Sequence, residues 1–188
     1  TVNTNNLTKN VSQENNKDFL NEKIELDNLI NLYNLKRFDE LASYGEIFVE
    51  KYPKNVEGLN ALALGYKNLR ELKRSISLFK KAIEIDSSKD YLYQNLGNLY
   101  FDIGNNKSTI DCQNKAIKLN PKNIKAINCL GLALSNSGDD LSAINYYQMA
   151  ISLNPTDSET NYNIATSYRK LSKYKEASFH YSKSSNKK

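Results

Sequence analysis

The 188-residue chain has no tryptophan, one histidine, one methionine, two cysteines and three prolines. Each scarcity removes a class of protein. His180 is the only imidazole, so a two-histidine metal site is excluded. Cys112 and Cys129 show no C-x-x-C spacing, so no metal and no cofactor is expected. Two cysteines read as buried or half-buried free thiols in a reducing compartment, and a cytoplasmic location is expected with them. No run of about 18 apolar residues occurs, which excludes a membrane-spanning helix, and no membrane partner is expected. No secretory signal is visible, although the chain begins at Thr1. The net charge is +5 and the pI about 9.0, but the excess is lysine scattered along the chain. No basic stripe interleaved with aromatics exists, so nucleic acid is not expected as a partner.

A catalytic set is equally absent. His180 lies far along the chain from Cys112 and Cys129, and is expected on a helix surface. Gly104 to Ser108 echoes a phosphate loop, but the G-x-x-x-x-G-K-[ST] spacing is not met and no strand precedes it. Asp139 and Asp140 are adjacent and serve best as charges at a helix start. No catalytic residue is assigned, and the chain is not expected to be an enzyme. Its hydrophobic content of 39% and charged content of 25% fit a soluble globular protein.

What the chain does have is a period. Pro155 follows Pro121, Gly131 follows Gly97, Ala150 follows Ala116 and Ala116 follows Ala82, each at an interval of 34 residues, in the range that marks stacked repeats. The stretch 124–157 carries the pattern best, with Leu130-Gly131, Leu134, Ala143, Tyr147, Ala150 and Pro155. Tyr93-x-x-Leu96-Gly97-x-x-Tyr100 and Ala143-x-x-x-Tyr147-x-x-Ala150 are the clearest runs of the pattern. Small residues are needed where helices cross closely. Leu62, Leu96, Leu130 and Ile164 fill the remaining space, and Pro121 and Pro155 end the helices before them.

This grammar resembles the tetratricopeptide repeat (TPR) family, whose unit is a helix-turn-helix of about 34 residues. The resemblance implies an all-α fold, a right-handed superhelical solenoid of tandem TPR helix-turn-helix repeats. Its units fall at 22–55, 56–89, 90–123, 124–157 and 158–188, together forming one array over 22–188. Residues 1–21, polar and Asn-rich, read as a leader or linker. The Asn6 and Asn10 glycosylation triplets within it are attributed to chance. The first helix is expected to begin near Asp18–Glu22. Three departures from the pattern fall in the first unit: Leu29 and Leu41 occupy columns usually held by small residues, and Gly45 replaces an aromatic. In the third unit Thr109 and Gln113 are off pattern, which predicts a loosely packed second helix. The last helix should expose apolar surface around Tyr174, Ala177 and Tyr181, with end-to-end contacts between copies as one consequence. The leader and the end at Lys188 together read as a segment of a longer protein.

In TPR proteins the first helices line a concave groove for an extended peptide, so the resemblance implies one here. The candidate lining residues are Asn60, Gln94, Asn95, Asn98, Asn128 and Asn163, flanked by Tyr91, Phe101 and Tyr162. An amide side chain both donates and accepts, and so can bond a peptide main chain without reading its sequence. Such a ladder is similar to the TPR arms of O-linked N-acetylglucosamine transferases. The TPR subclass that clamps chaperone C-termini needs a lysine that the corresponding positions here lack. The expected function is a protein-protein interaction scaffold binding a protein or peptide. The alternative is the N-terminal substrate-recognition arm of a larger enzyme such as a glycosyltransferase.

Overall fold

The computed structural model describes residues 4–185, with side chains from residue 18 onward. Every described element is a helix. The chain divides into two compact units, residues 1–85 and 86–188. The first unit holds α1 (Thr4–Asn34), α2 (Phe38–Lys51), α3 (Val56–Asn68) and α4 (Leu72–Ile85). The second holds α5 (Asp90–Asp102), α6 (Asn106–Leu119), α7 (Ile124–Asn136), α8 (Asp140–Leu153), α9 (Ser158–Lys170) and α10 (Tyr174–Ser185). Helix α1 starts well before the expected Asp18–Glu22. The upstream stretch contains neither proline nor glycine, so nothing stops a helix already nucleated downstream from extending into it. The side chains of Asn6 and Asn10 lie outside the described residues.

One turn recurs within both units. Lys36, Arg70, Gly104, Gly138 and Ser172 all have positive φ, between 58° and 88°. In each case the next residue reaches back to close the helix: Arg37 N–H to Leu32 O at 3.0 Å, Glu71 to Tyr66 at 2.9 Å, Asn105 to Tyr100 at 2.9 Å, Asp139 to Leu134 at 3.0 Å and Lys173 to Tyr168 at 2.9 Å. This left-handed cap satisfies the last carbonyls of the first helix and turns the chain into the second. Gly104 and Gly138 adopt it freely, whereas the other three do so against their Cβ.

Helix starts are capped by side chains. Asn55, Asn105, Asn123, Asp139 and Asp157 accept the N–H of Gly58, Ser108, Ala126, Ser142 and Thr160 at 2.7–3.1 Å. Each satisfies a donor that the first turn leaves open. The bonds from Ser142 hold the Asp139 carboxyl below the usual carboxylate range. Helices α6 and α8 end two residues before Pro121 and Pro155, and the intervening Asn120 and Asn154 are extended.

The departures in the first repeat are compensated. Leu29 is fully buried, and a Cβ on Gly45 would lie 3.2 Å from Leu29 Cδ1 and 2.8 Å from Leu62 Cδ1. Large and small have exchanged helices: elsewhere Gly131 on the first helix makes room for Tyr147 on the second. Leu41 is likewise accommodated by Gly65, where a Cβ would come within 2.2 Å of Leu41 Cδ2.

Helix α6 is not loosely packed, contrary to expectation. Thr109 and Gln113 are fully buried. Thr109 Oγ1 donates to Asn105 O at 2.9 Å, and Gln113 Nε2 donates to Asn98 Oδ1 at 2.9 Å. A polar side chain can fill an aromatic's place when backbone and amide groups meet it there. In α10, Tyr174 is 67% exposed as expected, but Ala177 is buried and Tyr181 packs edge-on against Tyr162. Phe179, 54% exposed, takes their place on the outer face.

Candidate peptide-binding surface

Tyr91, Gln94, Asn95, Asn98 and Phe101 recur every three or four residues along α5, which places them on one stripe of that helix. Helix α5 packs on α7, and α7 on α9. Asn128 on α7 and Tyr162 and Asn163 on α9 therefore belong to the same row of first helices within the second unit. Asn60 is on α3 of the first unit, half-buried and engaged in an interaction of its own.

The amides of this row are not equivalent. Asn128 is buried and donates through Nδ2 to Thr160 Oγ1 at 2.7 Å. Thr160 bonds in turn to the Asp157 carboxylate that caps α9. Asn128 thus ties α7 to the start of α9, and its amide is turned into the protein. Gln94 Nε2 lies 3.2 Å from Asn95 Oδ1, and Asn98 accepts from Gln113. The nitrogen of Asn98 makes no bond among the described residues. Among the described residues the enclosed Nδ2 of Asn163 has no acceptor and the enclosed Oε1 of Gln113 has no donor. Tyr162, 56% exposed, is steadied by the ring of Tyr181 at 5.6 Å. Tyr91 and Phe101 are half-buried at either end of the α5 stripe.

Two models of the tetratricopeptide repeat match the chain, one at residues 56–89 and 91–123 and the other at 112–145 and 146–177. The chain belongs to the tetratricopeptide repeat family. Among solved structures, this TPR protein is similar to the MamA protein, 26% identical, with a TM-score of 0.76 over 87% of this chain and 89% of that one. PilF of Pseudomonas aeruginosa shares the fold at 16% identity, with a TM-score of 0.80 over 89% and 78%. So does YrrB, described as a TPR protein with an unusual peptide-binding site, at 16% identity and a TM-score of 0.71 over 85% and 82%. A stretch of 78 residues is 37% identical to the mitochondrial import receptor subunit TOM70 of Homo sapiens. That match covers 37% of this chain and 13% of the receptor, so the TPR chain spans a small part of that relative.

Two polar clusters of the TPR array escaped the sequence reading. Ser135 Oγ donates to Asp140 Oδ1 at 2.6 Å, and Lys170 Nζ donates to Ser135 Oγ at 2.7 Å and lies 3.4 Å from Asp140. This joins α7, α8 and α9, so Asp140 is a buried link and not a simple helix-start charge. His180 is not a plain surface residue either. Its Nδ1 lies 3.0 Å from Asn161 Oδ1, and its ring stacks on Tyr168. Burial, helped by the charge of Lys183, lowers its pKa below the usual imidazole value. Neither cluster has a sequence motif, since each is assembled from separate helices. Among the described residues no group of three or more metal-ligating side chains occurs, and no helix is long and apolar enough to cross a membrane.

Proposed function

We propose that the protein is an interaction scaffold whose second unit holds an extended peptide along α5, α7 and α9. The observation that carries this reading is the amide of Asn163, a donor without an acceptor beside the exposed ring of Tyr162. An enclosed donor left unpaired costs about 1–3 kcal/mol. Asn163 is itself half-buried, and a side-chain rotation that carried its amide to the surface would let a peptide carbonyl recover that energy. The open donors of Asn98 supply a second point on the same row. Main-chain carbonyls recur along any peptide, so these amides grip without reading sequence, while Tyr162, Tyr91 and Phe101 receive side chains.

We count five repeats, because the left-handed turn at Lys36 repeats that at Arg70 and Gly104. We propose no catalytic role for the chain and a cytoplasmic location, where the thiols of Cys112 and Cys129 stay reduced. No observation favours the recognition arm of a glycosyltransferase over a scaffold.

The test is calorimetry with a panel of uncharged, unstructured peptides of about ten residues. Affinity on the order of micromolar is expected, since generic contacts must also order the free ligand. Asn98→Ala with Asn163→Ala should weaken binding by roughly 5- to 150-fold, at about 0.5–1.5 kcal/mol per lost bond. Asn128 is left intact because its amide supports the fold. If the double variant binds every peptide as the wild type does, the ladder reflects only an asparagine-rich composition.

A further inference from the structure

The first unit carries two surface features that its own packing leaves unused. One is a groove of about 380 Å3 bounded by α2, α3 and α4. Its floor includes Leu62 and Leu78, one wall carries Glu46 and Glu50 of α2, and the other carries Arg74 and Lys81 of α4. Glu46 and Arg74 are tied to the hydroxyl of Tyr66, while Glu50 and Lys81 bond nothing among the described residues. The other feature is a stripe on α1. Phe19, Leu20 and Ile24 are 70%, 56% and 53% exposed, and Lys23 and Asp27 lie among them, exposed and unpaired among the described residues.

We infer that the two features are the halves of one contact between copies of this chain. The α1 stripe of one copy lies in the groove of the next, with Leu20 and Ile24 entering it, Lys23 facing Glu50 and Asp27 facing Lys81. The groove is at the small end of the range for binding sites, too small for a helix but suited to one or two side chains. Helix-in-groove recognition uses such anchors one turn apart, and Leu20 and Ile24 are four residues apart on one face. Charge selects the occupant. A wholly basic helix would be repelled by Arg74 and Lys81, and a wholly acidic one by Glu46 and Glu50. The stripe presents one base and one acid a turn apart and matches both walls. Stripe and groove are different surfaces, so the contact is heterologous and each added copy leaves one of each open.

Sedimentation velocity of the full chain over a concentration series tests this. The wild type should gain average mass with concentration up to about 1 mM, the weak end of specific affinity. Ile24→Asp disables the stripe and Ser77→Arg fills the groove. Both positions are exposed, so unchanged helicity by circular dichroism is expected, and each variant alone should stay monomeric. Mixed, they retain one intact stripe and one intact groove, and should form a complex that stops at two chains. Glu50→Lys should weaken association roughly tenfold, since an attraction becomes a repulsion, and adding Lys23→Glu should restore it. A wild type that stays monomeric throughout overturns the inference. So do variants that associate as the wild type does, or a mixture that remains monomeric.

Discussion

Replacing Gly131 by leucine probes the packing that the whole repeat pattern depends on. A Cβ at this position lies 2.5 Å from Tyr147 Cε1 and 2.8 Å from Cζ, well inside contact distance. The ring cannot retreat. Tyr147 is 1% exposed and sits in a cluster with Ala143, Ile144 and Ile164. Overpacking costs about 1–3 kcal/mol, and a leucine adds three carbons beyond the clashing Cβ, which points to the upper end. The gain in helix propensity on losing glycine offsets about 0.8 kcal/mol. The net loss is therefore about 2 kcal/mol, which at roughly 2–4 °C per kcal/mol for a chain of this size lowers Tm by about 4–8 °C.

The first unit supplies a sharper control. There the same contact is built in reverse, with Leu29 on the first helix and Gly45 on the second. Adding Tyr147→Gly to Gly131→Leu transplants that reversed pair into the second unit. Tyr147→Gly alone removes a buried ring and should cost about 3–5 kcal/mol. The double variant should be more stable than the sum of the two singles by more than about 1 kcal/mol, the signature of residues in direct contact. Urea and thermal melts of the four proteins give the cycle. An unchanged midpoint for Gly131→Leu, or strict additivity in the double variant, would refute the idea that these columns face each other.

Three further outcomes follow from single residues. Arg70→Gly relieves a left-handed residue at an exposed turn and should stabilise the protein by about 1 kcal/mol, read as a raised urea midpoint. Gln113→Tyr restores the aromatic column, with Gly97 already clearing space for it, and removes a buried unpaired Oε1; Tm should rise, because such a group costs about 1–3 kcal/mol. His180 has a lowered pKa in the folded state, so the unfolded chain takes up its proton first; stability should fall as pH drops below about 6.5, and His180→Gln should flatten that slope in melts across pH 5–7.

The fold was legible because its signals are local and periodic. Small residues at Gly97, Gly131, Ala116 and Ala150, large ones between them and prolines at 121 and 155 report helix crossings and ends directly from sequence. The turn between helices carries a mark only where it falls on glycine, at Gly104 and Gly138. Its counterparts at Lys36, Arg70 and Ser172 carry none, since nothing in the sequence distinguishes a left-handed lysine, arginine or serine. The exchange of Leu29 with Gly45 was seen as two separate faults. Reading it as one compensated pair requires knowing that the two side chains meet.

The candidate site was harder to read because one residue type serves three purposes. Asn55, Asn105 and Asn123 cap helices, and Asn161 braces a turn by donating to Asp157 O at 2.9 Å. Asn128 cross-links α7 to Thr160, while the enclosed donor of Asn163 meets no partner among the described residues. Asn55 and Asn123 share one repeat position, and Asn128, Asn161 and Asn163 fall at neighbouring positions of the first helix, yet all carry the same letter. Periodicity assigns a column to a helix face, but the neighbouring repeat decides whether that face is occupied. At Asn128 the neighbour offers Thr160. One repeat earlier, at Gln94, the equivalent partner position is Ala126, which can accept nothing from an amide through its side chain. The difference that separates a structural amide from a binding one therefore lies in the partner column, and a ladder of asparagines has to be read together with the residues 32 positions downstream, the separation of the Asn128–Thr160 bond, before any rung is assigned to a ligand.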